Sequence, residues 1–225
     1  MRVTRRDIGV VSDIALSHVL SRDQILRLDY FNSITRVNTR LRELTSIGLI
    51  ARLDTPFFGQ SLYMATKRAA EVVGESIAPL IQGRTSSPRF IQHALQVTNV
   101  RLALIKKGEG AWRFEQQLWR KLSDIDGREV RPDGLFLARS PIFIEVDMGH
   151  AGLPRFKEKL LAYHALATSD QCESLYGFPN FKLLTVTTGH LRASHLRRAL
   201  PPDAGFEYLV KTFAEVGATP IPQWS

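Results

Sequence analysis

Two short stretches, Arg131-Pro132-Asp133-Gly134 and Glu145-Val146-Asp147, decide the fold of the second half of this chain. The apolar run Ile142-Phe143-Ile144 leads directly into Glu145, and eleven residues lie between Asp133 and Glu145. One acidic residue opens a predicted strand and two more close the next, so a hairpin would gather the carboxylates in one place. Oxygen ligands of this kind suit a hard divalent cation. The stretch therefore predicts either a metal site or a group of ion pairs.

The spacing resembles the core of PD-(D/E)xK nucleases. In that core the third element is a lysine, which stabilises the attacking hydroxide or the developing negative charge, whereas Asp147 stands at that position here. In an active site of this kind, Asp133 and Glu145 would hold Mg²⁺ or Mn²⁺, with Glu115 or Asp147 completing the oxygen ligands.

The alternative is a degenerate nuclease-like fold whose carboxylates are held in ion pairs. Lys159, or Lys157, would supply the missing ammonium to an active site from the following helix. In an inactive site the same lysines, or Arg131, would simply neutralise the carboxylates. We favour the inactive alternative, because Asp147 replaces a group that electrostatic catalysis of phosphodiester cleavage would use.

The segments around the motif predict an α/β domain with a mixed sheet. The apolar patterns predict helices over 88–107, 153–167 and 190–200, and strands over 132–138, 142–148 and 181–187. Residues 112–119 begin as a strand, and the pattern leaves open whether 118–122 is helical. A helix between the last two strands provides the crossover that a parallel pair needs. Trp112, Trp119 and Tyr163 are predicted to pack in the core.

Residues 1–80 predict a winged helix-turn-helix. Apolar stripes indicate helices over 7–20 and from Ile34 onward, and Ser21 and Ser33 are placed to cap the second and third helices. Ser21 has Gln24 three residues later, which is the pattern of a capping box. Two short strands, 49–52 and 61–65, enclose a loop that contains proline and glycine and predict the wing.

The outer face of the third helix carries the candidate DNA contacts. Its inner stripe is predicted to contain Ile34, Val37, Leu41 and Leu44. The candidates on the polar face are Arg36, Asn38, Thr39, Arg40 and Arg42. In the major groove, arginine pairs with guanine edges and asparagine with adenine. Winged helices also serve as protein-docking modules, but the polar face and the basic charge together favour DNA.

Composition indicates which class of partner and which cellular compartment to expect. The chain has 225 residues and a formal net charge of +8, which favours a polyanionic partner, nucleic acid before membrane. Its one cysteine, Cys172, cannot form an intramolecular disulfide, and no apolar run approaches the length of a membrane span. We therefore expect a cytoplasmic protein with no membrane partner. The predicted domains are 1–80 and 89–225, joined by a linker over 81–88.

Several motifs together resemble the replication-relaxation family of plasmid and mobile-element proteins. They are Arg131 to Gly134, Phe143 to Asp147, His93-Ala94-Leu95 through Asn99-Val100-Arg101, and Lys159 with Tyr163 one turn later. The resemblance covers nearly the whole chain. It implies a winged helix-turn-helix joined to a PD-(D/E)xK-like domain, an α+β protein overall.

The resemblance also implies a function, which is binding of double-stranded DNA in the replication, mobilisation or regulation of a mobile element. It does not imply cleavage. A homodimer would gain affinity from two half-sites on DNA, so a second copy of the chain is an expected partner. A docking module for a relaxase or a replication initiator is the remaining alternative.

Overall fold

The computed structural model describes residues 2–53, 55, 58–82, 87–107, 109–123, 127–200 and 203–218. The chain forms two compact units that divide between Leu102 and Ala103. Each unit combines helices with a sheet, so the predicted α+β class is confirmed.

The first unit contains short helices and a three-stranded antiparallel sheet of order β1-β3-β2. Its helices are α1 (Arg5–Leu16), α2 (Arg22–Arg27), α3 (Ile34–Ser46), α4 (Ala70–Val73), α5 (Ala78–Gln82) and the first turns of α6 (Pro88–Lys107). Its strands are β1 (Leu20–Ser21), β2 (Ile50–Leu53) and β3 (Leu62–Ala65). Short 3₁₀ turns at Lys67–Ala69 and Glu75–Ile77 precede α4 and α5.

Side-chain caps define where the first helices begin. The Ser21 hydroxyl accepts a hydrogen bond from the Gln24 amide, and the Gln24 side chain accepts one from the Ser21 amide, so the predicted capping box is confirmed. The Ser33 hydroxyl caps α3 through one bond, which it accepts from the amide of Arg36. Thr4 and Asp7 form a further capping box, which was not predicted, at the start of α1.

Three details of this unit differ from the predictions. Helix α1 ends at Leu16 rather than near Leu20, because Leu20 instead pairs with Tyr63 across the small sheet. Ile34 is 45% exposed and does not belong to the buried stripe of α3, since it lies in the first turn before the helix reaches the core. The sequence also predicts that Thr66 caps a helix through Val73, but its hydroxyl makes no capping bond and donates instead to the carbonyls of Gly48 and Leu49.

Buried polar contacts fasten the start of α6 to the first unit. The Gln24 side chain donates to the Leu95 carbonyl and to Asn99, at 2.8 and 2.9 Å. Asp13 of α1 forms an ion pair with Arg101, at 3.1 Å. The motif residues Asn99 and Arg101 therefore have a structural role here.

The second unit is built on a mixed five-stranded sheet of order β10-β9-β8-β7-β4. Its strands are β4 (Ala111–Phe114), β7 (Gly134–Leu137), β8 (Pro141–Asp147), β9 (Lys182–Thr187) and β10 (Glu207–Thr212), and a separate ribbon pairs β5 (Arg120–Lys121) with β6 (Glu129–Val130). Its helices are α7 (Glu115–Leu118), α8 (Leu153–Thr168), α9 (Gln171–Tyr176), α10 (His190–Arg197) and α11 (Phe213–Val216), together with the end of α6.

The predicted hairpin and crossover both form. Strands β7 and β8 are antiparallel, with Gly134 opposite Ile144, and β8 is parallel to β9, with Glu145 opposite Thr185. Helix α8 lies between the two parallel strands in sequence, as the crossover requires. Strand β10, which was not predicted, extends the parallel part of the sheet.

The segment that the sequence left open divides into several short elements. Residues 111–114 are strand, 115–118 are helix, and 120–121 pair with 129–130. Trp119 lies between these elements and is 50% exposed, so its assignment to the core was wrong. An element of four residues or fewer carries too little periodicity to reveal its buried side.

Several predicted loops are only partly described. Residues 54 and 56–57 of the predicted wing loop and 83–86 of the predicted linker lie outside the described residues, as do 124–126, where the sequence predicts a turn over 124–127. Within the predicted linker, residues 81–82 belong to α5. The compact units divide further along the chain, inside α6, and the functional domain boundaries stay a prediction.

Candidate functional site

Helix α3 presents a polar face to solvent in the first unit. Val37, Leu41 and Leu44 are buried beneath it, and this packing fixes which side of the helix is outermost. Of the predicted DNA contacts, Arg36, Thr39 and Arg42 are exposed and Asn38 is partly exposed. In the described part of the chain, the guanidinium groups of Arg36 and Arg42 have no hydrogen-bond or ion-pair partner.

Arg40 does not belong to this exposed set. Its Nε and one terminal nitrogen donate to Asp7 on α1, the same terminal nitrogen donates to the Arg2 carbonyl, and the other donates to Glu43. The Arg40 side chain is only 14% exposed. The prediction that it faces outward toward DNA was wrong, because a buried carboxylate from another helix holds it.

The electrostatics of Asp7 reflect this pairing. Burial alone would raise the pKa of Asp7, but hydrogen bonds from Arg40 and Thr4 outweigh burial and lower it to about 2. The Asp7 carboxylate therefore stays ionised and joins α1 to α3.

In the second unit, Phe143, Glu145 and Asp147 alternate along β8 and share one face of the sheet. Phe143 contacts the Tyr163 ring of α8, with ring centroids 5.7 Å apart. Glu145 is 3% exposed and lies between the apolar core and the end of the strand. A carboxylate in this position needs charged or hydrogen-bonding partners.

Helix α8 supplies both partners of Glu145. Lys159 Nζ donates to one Glu145 oxygen at 2.5 Å, and the Tyr163 hydroxyl donates to the other at 2.8 Å. Lys159 and Tyr163 are four residues apart, so they lie on the same side of the helix. Lys157, the alternative lysine, is exposed.

Asp133 lies at the start of the hairpin, beside Glu145. Its Oδ2 accepts a hydrogen bond from the Val146 amide at 2.7 Å, and its own amide donates to the Ile144 carbonyl at 3.0 Å. These two bonds anchor the residue across the hairpin. The sequence was therefore right to bring Asp133, Glu145 and Lys159 together, and they form one ionic group.

Burial raises the pKa of Glu145, the charge of Lys159 offsets only part of that rise, and the nearby carboxylate of Asp133 raises the pKa further. Burial alone would lower the pKa of Lys159, but the charges of Glu145 and Asp133 outweigh burial and raise it. Lys159 is therefore a permanent ammonium. Glu145 is the member of the pair that can take up a proton.

Asp147 is neutralised separately. Arg192 of α10 forms two parallel hydrogen bonds with its carboxylate, at 2.8 and 2.9 Å, and Thr187 donates a third at 2.9 Å. Arg192 also donates to the Ala151 carbonyl at 2.8 Å. The sequence analysis did not identify Arg192 as the partner of Asp147, because the two residues are distant in the chain and no local pattern links them.

Glu115, the other predicted oxygen ligand, is held by Arg131 at 2.5 Å. The Arg131 guanidinium also lies 5.9 Å from the centre of the exposed Trp119 ring. Arg131 was predicted to neutralise one of the clustered carboxylates Asp133, Glu145 and Asp147, but Glu115 accepts its hydrogen bond instead.

The carboxylates of Glu145 and Asp147 are held by donors of the chain itself. Both oxygens of Glu145 accept hydrogen bonds, and the charge of Asp147 is compensated by Arg192. Across the described ranges, no group of three or more histidine, cysteine, aspartate or glutamate side chains could hold a metal ion. Lys159 and Arg192 compensate two of the three carboxylates, those of Glu145 and Asp147.

These features define an α+β protein with an exposed basic helix in one unit and a compensated ionic site on a mixed sheet in the other. The family model described as replication-relaxation matches residues 12–180, and the chain belongs to that family. Membership suggests a role in the replication or mobilisation of a plasmid or mobile element. No curated protein and no solved structure gave a match. None of the described helices is long and apolar enough to cross a membrane.

Proposed function

We propose that this chain binds double-stranded DNA through α3 and serves the replication or mobilisation of a plasmid or mobile element. In this proposal the first unit is a winged helix-turn-helix, with the β2–β3 hairpin as its wing. The second unit is a PD-(D/E)xK-like fold whose site no longer cleaves. The observation that carries the proposal is the polar face of α3, where Arg36 and Arg42 have no partner inside the described protein.

The chemistry of this face suits base edges in the major groove. Arginine donates two parallel hydrogen bonds to guanine, and the hydroxyl of Thr39 can contact any base. A helix fits into the major groove, and the net charge of +8 adds a sequence-independent attraction to phosphates. A single helix reads only a few base pairs, so the proposal includes a homodimer on two half-sites.

The test is the double variant Arg36→Ala/Arg42→Ala. We expect its affinity for a duplex selected from a random pool to fall at least tenfold, since each lost base contact costs about 1–3 kcal/mol. Fluorescence anisotropy at a fixed salt concentration measures the change. Lys106→Ala/Arg113→Ala is the matched control, because it removes two charges from exposed positions of the second unit.

Equal affinities for the wild type and the α3 variant would reject α3 as the DNA contact. Weak binding that does not respond to salt would instead support the third candidate, a docking module for a relaxase or replication initiator.

A metal-dependent endonuclease is the second candidate, and the ammonium of Lys159 beside Glu145 is the observation that favours it. We expect no cleavage of supercoiled or linear DNA with Mg²⁺ or Mn²⁺, because Glu145 and Asp147 are already paired with Lys159 and Arg192. Cleavage by the wild type that disappears in both Asp133→Asn and Lys159→Ala would overturn this expectation. Circular dichroism of each variant checks that the fold is retained.

A further inference from the structure

A shallow recess lies beside the exposed face of α3, where the start of α1 approaches the turn before α3. It is lined by Arg6, Phe31, Thr35, Arg36, Thr39, Arg40 and Glu43. Two hydroxyls and three guanidinium groups therefore line one small surface depression. A single carboxylate, that of Glu43, is among them.

The charges of this lining do not cancel. Glu43 accepts a hydrogen bond from Arg40, and Arg40 also forms an ion pair with Asp7. Arg40 (+1), Asp7 (−1) and Glu43 (−1) together carry a net charge of −1. Arg6 and Arg36 add two positive charges, so the net charge at the recess is +1, which attracts an anion.

Arg6 is also held in position. Its guanidinium carbon lies 4.8 Å from the centroid of the Phe31 ring, and Phe31 is buried beneath it. Stacking on the ring leaves the edge of the guanidinium able to donate hydrogen bonds. A side chain ordered in this way loses less conformational entropy when it binds, which favours a fixed contact.

We propose that this recess binds one phosphate group of the DNA backbone, with Arg6 as its main donor and Thr35 as a second. The inference rests on the proposed function and deepens it, because it assigns a phosphate contact to Arg6 and Thr35 and leaves base reading to Arg36 and Arg42. A phosphate contact from α1 would fix how α3 sits in the groove without reading sequence.

The experiment compares Arg6→Ala with Arg5→Ala in the full-length protein. Arg5 is the exposed neighbour of Arg6 on the same helix and does not line the recess. Both variants lose one positive charge, so a difference between them reports on the recess. We expect Arg6→Ala to lower affinity roughly tenfold on every duplex alike, since a charge-assisted hydrogen bond is worth about 1.5 kcal/mol or more. The slope of log affinity against log salt should also fall by about one.

Arg6→Lys keeps the charge but not the planar stacking, and it should retain part of the affinity. A second arm uses duplexes that carry one neutral methylphosphonate at successive positions. At one position the neutral group should lower the affinity of the wild type. At that same position it should lower the affinity of Arg6→Ala only slightly, which would couple Arg6 to that phosphate. A recess that binds a free phosphate instead of DNA predicts no such coupling.

Three outcomes would overturn the inference: equal effects of Arg5→Ala and Arg6→Ala, a loss confined to one DNA sequence, or no coupled position in the methylphosphonate series. If Arg36→Ala/Arg42→Ala abolishes binding while Arg6→Ala does not, only the recess inference fails. If the wild type binds no duplex at all, the proposed function and the inference fail together.

Discussion

At the scale of single residues, the position after Asp133 is a glycine, Gly134, because an aromatic ring packs against its backbone. A Cβ atom on Gly134 would lie 2.0 Å from Cζ2 of Trp112, which is far inside van der Waals contact. The Trp112 ring thus covers the backbone directly beside the residue that accepts the Val146 amide. The glycine is required by this close approach of the ring to the strand.

We expect Gly134→Ala to lower the free energy of unfolding by about 2–3 kcal/mol, because the ring or the strand must move. Urea denaturation measures this. Gly59→Ala is the control, since a Cβ there meets nothing within 4 Å, and it should change stability by less than about 0.5 kcal/mol.

Adding Trp112→Ala to Gly134→Ala should recover part of the loss, so that the two substitutions together cost less than the sum of their separate costs. Strict additivity would mean that the Trp112 ring is not what excludes a side chain at Gly134.

At the scale of elements, the Asp7–Arg40 ion pair joins α1 to α3. It involves Nε and one terminal nitrogen of the Arg40 guanidinium. The same terminal nitrogen donates to the Arg2 carbonyl, and the other terminal nitrogen donates to Glu43. The helix proposed to read DNA is therefore oriented by a charge contact as well as by its apolar stripe. Arg40→Ala would affect DNA binding through the position of α3.

The pair predicts a pH dependence. The pKa of Asp7 is lowered from 3.8 to about 2 in the folded state, so its stabilisation is present above about pH 4 and is lost as the pH falls toward 2. We expect Asp7→Asn to be less stable than the wild type by about 2 kcal/mol at pH 7, and the difference to vanish near pH 2.

Urea denaturation across this range, with Asp23→Asn as an exposed control, measures the difference. A gap between wild type and Asp7→Asn that is the same at pH 7 and pH 2 would contradict the assignment of Asp7 as the group that titrates.

At the scale of the whole molecule, the two units differ in whether their charged side chains are paired. In the first, Arg36 and Arg42 have no partner among the residues that the structure describes and lie on an exposed face, whereas in the second, Glu145 and Asp147 are compensated by Lys159 and Arg192. The net charge of +8 is consistent with the proposal that the chain binds DNA. A surface charge without an ion-pair partner favours binding of an oppositely charged molecule, whereas an ion-paired charge in a core favours a structural role.

The family match ends at residue 180, but the sheet does not. Strands β9 and β10 and helix α10 follow that point, and α10 contributes the arginine that pairs with Asp147. The compensation of the predicted nuclease position therefore depends on a part of the chain outside the matched segment. Arg192 is the residue to compare when related chains are tested for cleavage.

The features that depend on residues close together in the chain could be predicted from the sequence. The capping box at Ser21, the cap at Ser33, the bounds 88–107 of α6 and the hairpin between β7 and β8 were all predicted correctly. Caps, turns and apolar periodicity act over a few residues, so they can be recognised in the sequence alone. The gathering of Asp133, Glu145 and Lys159 was predictable for the same reason, since it follows from one hairpin and the next helix.

Which charged side chains form ion pairs depends on the tertiary structure and could not be predicted from the local sequence. Asp7 and Arg40 are 33 residues apart, and Asp147 and Arg192 are 45 residues apart. A surface arginine and a buried, paired arginine have the same local pattern, because their difference lies in what a distant segment brings beside them. The physical reason is that an ion pair depends on distance in space, and the packing of helices and strands sets that distance.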